Sequence, residues 1–257
     1  MLHRFRIAPL LAITFLLVPA SPGAGAEIKV LNANALTIAM KELAAEFSKE
    51  TGNQVTFSGM SPGLVDQRIK AGEIYDLVIN ATESVQGFEK EGKWRPGSRR
   101  PLARVGIGIA IRDSGKVDLS SVESTRKALL DAKTITFSDS TGGGLSGINA
   151  QKVLANLGLT DAVKSKTKLS KDLGAGQAEI AKGEVDLGLF NLSEIPRAPG
   201  VKRAGPVPAA VQVYINYDSA IPVTNTMPEP VLALLKYFQR PASRAAWDKA
   251  GLEVVAQ

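Results

Sequence analysis

The chain has 257 residues, 31 lysine and arginine against 25 aspartate and glutamate, a formal charge of +6, and no cysteine. That length suits one or two domains with a buried core, and the missing cysteine excludes disulfides, thiol nucleophiles and a lipid anchor carried on cysteine. The only histidine is His3, so histidine-based triads and the usual zinc or copper sites are excluded from everything after it.

Arg4 and Arg6 precede an apolar run from Ile7 to Val18, and Ala24-Gly25-Ala26 supplies the small residues that a signal peptidase reads, so residues 1–26 are expected to be an export signal cleaved before Glu27. The run is too short for the roughly 20 residues that span a bilayer, and no membrane anchor is expected. Without Arg4 and Arg6, 29 basic against 25 acidic residues leave +4. A weakly positive field suits capture of a small anion, and scattered basic residues with few aromatics speak against a nucleic-acid reader.

Ile28 to Leu31 reads as a strand, followed by Asn32-Ala33-Asn34-Ala35 and a helix whose Leu36, Met40, Leu43 and Phe47 share one face before Gly52. Asn34 is placed to cap that helix and to offer an oxygen at the same N-terminus. Val55 and Phe57 mark a second strand, and Ser61-Pro62 then starts a helix as cap and first turn. Tyr75 to Asn80 is a third strand leading to a helix with Val85 and Phe88, which completes a βαβαβα unit with polar loops at the strands' C-terminal ends. Trp94 to Gly97 and Pro101 interrupt the pattern, and Val105 to Ile111 reads as a long strand crossing into a second lobe. There, Ser120 and Glu123 suggest a capping box, Thr134 to Phe137 a strand, Asp172 a helix start with its end near Gly183, and Val185 to Phe190 a strand ending in Asn191-Leu192-Ser193-Glu194. Pro196 to Pro208 is rich in proline and glycine. Val211 to Tyr217 reads as the return crossing, with a second capping box at Thr226 and Glu229 and a last helix, Ala242 to Lys249.

The stretch Phe137-Ser-Asp-Ser-Thr-Gly-Gly-Gly-Leu-Ser-Gly-Ile148 lies between a strand and a helix. Its glycines free backbone N–H groups, Ser140, Thr141 and Ser146 add hydroxyls, and the next helix directs its positive end to the same spot, the composition of an anion seat. On that reading Ser146→Ala weakens binding modestly, whereas Gly147→Val nearly abolishes it and spares the fold. Gly142, Gly144 and Gly147 also fit G-x-G-x-x-G, a weak dinucleotide signal, and no cofactor or metal is expected. Gly59-Met60-Ser61-Pro62-Gly63 matches G-x-S-x-G, but no histidine is available to activate its serine.

Taken together, Asn34 to Met40, Phe47 to Gly52, Ser61 to Ile69, Tyr75 to Ile79, the glycine loop, Gly183 to Phe190 and Arg240 to Leu252 resemble the molybdate-type periplasmic binding proteins, over the whole chain after the export signal. The resemblance implies an α/β fold of two lobes, each a mostly parallel sheet flanked by helices, with lobe one at 27–104 plus 211–257 and lobe two at 105–210. It implies a soluble, monomeric, non-enzymatic protein of the periplasm that closes over a small anion and delivers it to an ABC importer. Carried over from that family, the ligand positions fall at Ala35 beside Asn34, at Ser61, at the backbone of Ser146 and Leu173, and at Asn191. Ala35 stands where the family has a serine and Asn191 where it has a tyrosine, departures that put molybdate itself in question. An organic-carboxylate receptor of the same fold is the alternative, and a periplasmic hydrolase using Ser61 or Ser146 with a lysine base is another.

Overall fold

Three strand–helix units open the computed structural model, which describes residues 25–255 apart from 142, 143 and 197. β1 (Glu27–Ala33) leads through a 3-10 turn at Asn34–Leu36 into α1 (Thr37–Thr51), β2 (Gln54–Met60) into α2 (Pro62–Lys70), and β3 (Leu77–Ala81) into α3 (Thr82–Lys90). β4 (Arg100–Arg112) follows, then α4 (Val122–Asp131), β5 (Ile135–Ser138), α5 (Leu145–Asn156), the short α6 (Thr160–Lys164) and β6 (Thr167–Ser170). Next come α7 (Leu173–Lys182), β7 (Leu187–Asn191), β8 (Val201–Pro206), β9 (Tyr214–Ala220), α8 (Pro228–Gln239), α9 (Arg244–Lys249) and β10 (Glu253–Val254). Apart from Gly25 and Ala26, the expected export signal lies outside the described residues. Among those residues, no helix is long and apolar enough to cross a membrane.

The strands follow the order β2-β1-β3-β9-β4-β7-β5-β6, with β8 and β10 also on β4. Each half has a parallel centre, β1 between β2 and β3, and β5 between β6 and β7. β9 and β4 run antiparallel to their neighbours and join the halves. Such strands, covered on both faces, read as nearly continuous apolar runs, as in the fully buried β3. The buried side chains divide accordingly. One cluster draws on residues 28–105 and 215–252, with Phe47, Tyr237, Phe238 and Trp247 among its largest members. A second draws only on residues 107–211. Smaller clusters around Val65, Val85 and Trp94, and around Ile180 and Phe190, cover the opposite faces of the two sheets, so each half is a sheet between helical layers.

β4 changes partner in mid-strand. Arg100 to Gly106 pair with β9, whereas Ile107 to Ala110 pair with β7. At the switch the Gln212 side chain bridges the backbones: its Oε1 accepts from the Ile107 N–H at 2.7 Å and the Val213 N–H at 3.0 Å, while Nε2 donates to the Ile107 carbonyl at 2.9 Å. Gln212→Ala is therefore expected to cost about 1–3 kcal/mol, the range for leaving a buried donor without its partner. Denaturant unfolding measures this, and an unchanged midpoint would show that the bridge contributes nothing.

Several helix starts differ from the sequence expectation. Ser121, not Ser120, caps α4, in a reciprocal box with Ser124 rather than Glu123, because the Ser120 N–H is taken by Asp118 Oδ1 at 2.9 Å. The box expected at Thr226 and Glu229 does not form. Pro228 occupies the first helical position of α8, which makes Met227 the cap residue, without a side-chain bond. Asn34 does not cap α1 either, because Asn34–Leu36 form their own 3-10 turn ahead of it. The proline- and glycine-rich stretch after Pro196 contains β8, which pairs antiparallel with β4 through an irregularity at Ile109 and Ala110.

Candidate functional site

A cleft of about 540 Å³ opens where the C-terminal ends of the parallel strands converge, the position at which open α/β sheets hold ligands. Ala33, Asn34 and Ala35, at the end of β1, form one wall with Ser61 and Pro62, between β2 and α2. Buried asparagines hold both segments. Asn32 Nδ2 donates to the Ala33 carbonyl at 2.9 Å and to Thr37 Oγ1 at 2.8 Å, and Asn80 Nδ2 donates to the Pro62 carbonyl at 3.2 Å and Asp66 Oδ1 at 2.8 Å. β2 passes close behind, where a Cβ on Gly59 would stand 2.9 Å from Asn34 Oδ1. Ser61 precedes Pro62 at the start of α2, as expected, but makes no capping bond. Its hydroxyl is left to the cleft.

The facing wall comes from the second half. α5 starts at Leu145 behind Gly144, with no side-chain cap, so its first N–H groups and the positive end of a 12-residue helix are available to a ligand. Ser146 Oγ accepts from the Asn191 N–H at 3.2 Å. With its oxygen so engaged, the hydroxyl hydrogen of Ser146 remains to be donated. Lys171 and Asp172, at the start of α7, also line the cleft, as do Ser138 and Asp139 at the end of β5. Two of the wall's carboxylates are held by backbone: Asp139 Oδ1 accepts from the Thr141 N–H at 2.9 Å and Asp172 Oδ1 from the Ala175 N–H at 2.8 Å. Lys171 is exposed, and among the described residues it forms no ion pair and is the one basic side chain in the wall.

The deeper wall is polar and closed. Ser138 is 8% exposed and Asn191 2%, and among the described residues neither Ser138 Oγ nor Asn191 Oδ1 has a hydrogen-bond partner. An unsatisfied polar atom costs about 1–3 kcal/mol, so two at one cleft mark a place that a ligand or water completes. Glu194 is 6% exposed, and the Gln177 amide donates to its carbonyl at 2.8 Å. Tyr217 lies close enough to feel its charge: burial, and then Glu194, push the phenol above its ordinary pKa. Tyr217 therefore keeps its proton at neutral pH.

Of the residues expected from the sequence, Asn34, Ala35, Ser61, Ser146 and Asn191 share this cleft, and Leu173 opens α7 between Asp172 and Gly174, which line it. Ser140 and Thr141 are outside the wall, with the Thr141 N–H turned to Asp139. Gly147 is buried within α5 on the face toward β5, where a Cβ would meet the Ser138 carbonyl oxygen at 2.0 Å. It serves helix–strand contact, and Gly142 lies outside the described residues. Glu194, Tyr217, Lys171 and Asp139 also line the cleft and are no part of the sequence expectation. Glu194 closes a strand-end segment, the one sequence signal that could have found it. Among the described residues, no group of three or more acidic, histidine or cysteine residues could hold a metal ion.

A family model described as bacterial extracellular solute-binding protein matches residues 28–253. An aconitate isomerase of Pseudomonas sp. is 26% identical, over 96% of this chain and 97% of its own length. The molybdate-binding protein ModA of Azotobacter vinelandii is 28% identical, over 84% of this chain and 85% of its own. The fold matches that of the substrate-binding domain of a molybdenum ABC transporter from Clostridium difficile with a TM-score of 0.76 and 20% identity, covering 90% of this chain and 100% of that one.

Proposed function

Because the chain belongs to the bacterial extracellular solute-binding protein family, we propose that it captures a small anion in the cleft and presents it to an ABC importer from the periplasm. Residues 27–104 plus 211–257 would form one lobe and 105–210 the other, closing about the β4 and β9 crossings. The observation that carries this reading is the uncapped start of α5, where Ser146 retains a hydroxyl hydrogen to donate and Lys171 supplies positive charge beside it. That combination favours negative charge. Ser146→Ala should weaken binding by about 1–2 kcal/mol, near the value of one hydrogen bond to a charged group, as measured by titration calorimetry.

The serine-hydrolase reading receives no support, since neither Ser61 nor Ser146 hydrogen-bonds a lysine among the described residues. Within the anion reading, a molybdate-like oxyanion suits the similarity to ModA. A carboxylate receptor is favoured instead by Ala35 and Asn191, which remove a hydroxyl and a phenol from the molybdate pattern, and by the aconitate isomerase relative. A thermal-shift panel separates them, because a ligand at a hundred times its Kd stabilises the folded state by about 2.7 kcal/mol. Molybdate, tungstate and sulfate form one arm; citrate, malate and both aconitate isomers form the other. Stoichiometric stabilisation without conversion supports a receptor, whereas interconversion of the aconitates by the purified protein would make it an isomerase.

A further inference from the structure

Resting on the anion reading above, we propose that Ser138 is a further binding residue of the cleft: its hydroxyl donates to the same negative group that Ser146 and the start of α5 hold. Ser138 ends β5 and lines the cleft, and it is more than nine-tenths buried, yet its Oγ has no hydrogen-bond partner among the described residues. Neighbouring hydroxyls behave otherwise. Two residues back on the same strand, Thr136 Oγ1 donates to the Lys168 carbonyl at 2.6 Å, and Ser170 Oγ, at the end of the adjoining β6, donates to the Asp172 carbonyl. Buried hydroxyls in native proteins nearly always find such a partner, and one left without it costs stability that a bound group returns.

The packing of α5 on β5 places this hydroxyl beside the helix start. A Cβ on Gly147 would stand 2.0 Å from the Ser138 carbonyl oxygen and 3.4 Å from the Ser140 nitrogen, so the first turn of α5 rests on the backbone that carries Ser138. Ser146, one residue earlier, is tied to the end of β7 through the Asn191 N–H, and β7 pairs with β5. Ser138, Ser146 and the uncapped N–H groups of α5 therefore share one corner of the cleft. Each hydroxyl has one hydrogen to give, and an anionic oxygen accepts several, so the second serine adds a charge-assisted bond to the first. Both serines are buried, whereas Lys171 is exposed. The close contacts to the anion thus come from neutral donors, with the lysine adding a screened field.

The test is titration calorimetry on the purified protein, with whichever of molybdate, sulfate, citrate, cis-aconitate or trans-aconitate raises the wild-type melting temperature most. Ser138→Ala is expected to bind that anion about ten- to a hundredfold more weakly, the value of a hydrogen bond to a charged group. Without anion it should melt no lower than the wild type, because the substitution removes a hydroxyl that had no partner. The loss of affinity should persist as salt is added, since buried contacts escape most screening. Ser138→Cys, which keeps nearly the same shape and offers only a weak donor, should lose affinity as well, and it decides the matter if Ser138→Ala folds poorly. Wild-type affinity in either folded variant overturns the inference and leaves the anion reading standing. If none of the five anions binds the wild type, the anion reading fails and takes this inference with it.

Discussion

Gly147→Val is expected to lower the unfolding midpoint by about 6–12 °C, equivalent to roughly 3 kcal/mol for a chain of this size. In an exposed helix, replacing glycine would ordinarily stabilise by about 0.5–1 kcal/mol. Here a Cβ would sit 2.0 Å from the Ser138 carbonyl oxygen, with the Ser138 carbonyl carbon at 3.1 Å. These are backbone atoms at the end of β5, and no flexible side chain can move aside. Overpacking of a core commonly costs about 1–3 kcal/mol, and a clash with fixed backbone belongs at the upper end. Relief requires α5 to move away from β5, which displaces Ser146 from the cleft. Binding and stability should therefore fall together, contrary to the sequence expectation that the fold would be spared. Gly144→Ala is the matched control, since its Cβ meets nothing nearer than the Asp139 carbonyl at 3.9 Å. Equal melting temperatures for the two variants would remove the close-packing account.

Lys171→Glu is expected to weaken anion binding about a hundredfold while leaving stability nearly unchanged, because exposed positions tolerate substitution within about 0.5 kcal/mol and a charge-assisted contact is replaced by repulsion. Lys171 is the basic side chain of the wall among the described residues, and the Asp139 and Asp172 carboxylates of that wall are held by backbone N–H groups. Lys171→Arg should retain most of the affinity. An exposed cation acts through a screened field, so the wild-type affinity should fall with added salt and the Lys171→Glu affinity should vary less. Unchanged affinity in Lys171→Glu would place the anion away from α7.

The sequence disclosed the features that depend on local pattern. The apolar runs of β3 and β4, the Asp172 cap and the stop at Gly183 all follow from hydrophobic pattern or single-residue chemistry. The same reasoning placed Ser61, Ser146 and Asn191 at strand ends, where the topology brings them into one cleft. It failed where partners distant in the chain decide. β8 contains Gly205 and Pro206 and looks like a loop, yet its pairing with β4 makes it a strand. Lys171 resembles any surface lysine until α7 is set beside α5. Tyr217 carries no local mark and Glu194 only its place after a strand end, because their meeting depends on β9 returning from the second half. The glycine loop misled in another way. Its composition predicts that Gly147→Val touches binding and spares the fold, whereas the space a side chain would need there is filled by the Ser138 carbonyl.

The most direct test of anion capture is a crystal structure grown with the anion that gives the largest thermal shift. The account predicts its negative end against the Leu145 and Ser146 N–H groups and Ser146 Oγ, with Lys171 beside it and both halves touching the ligand. An anion bound outside the cleft, or held by one half with the start of α5 facing solvent, would contradict it.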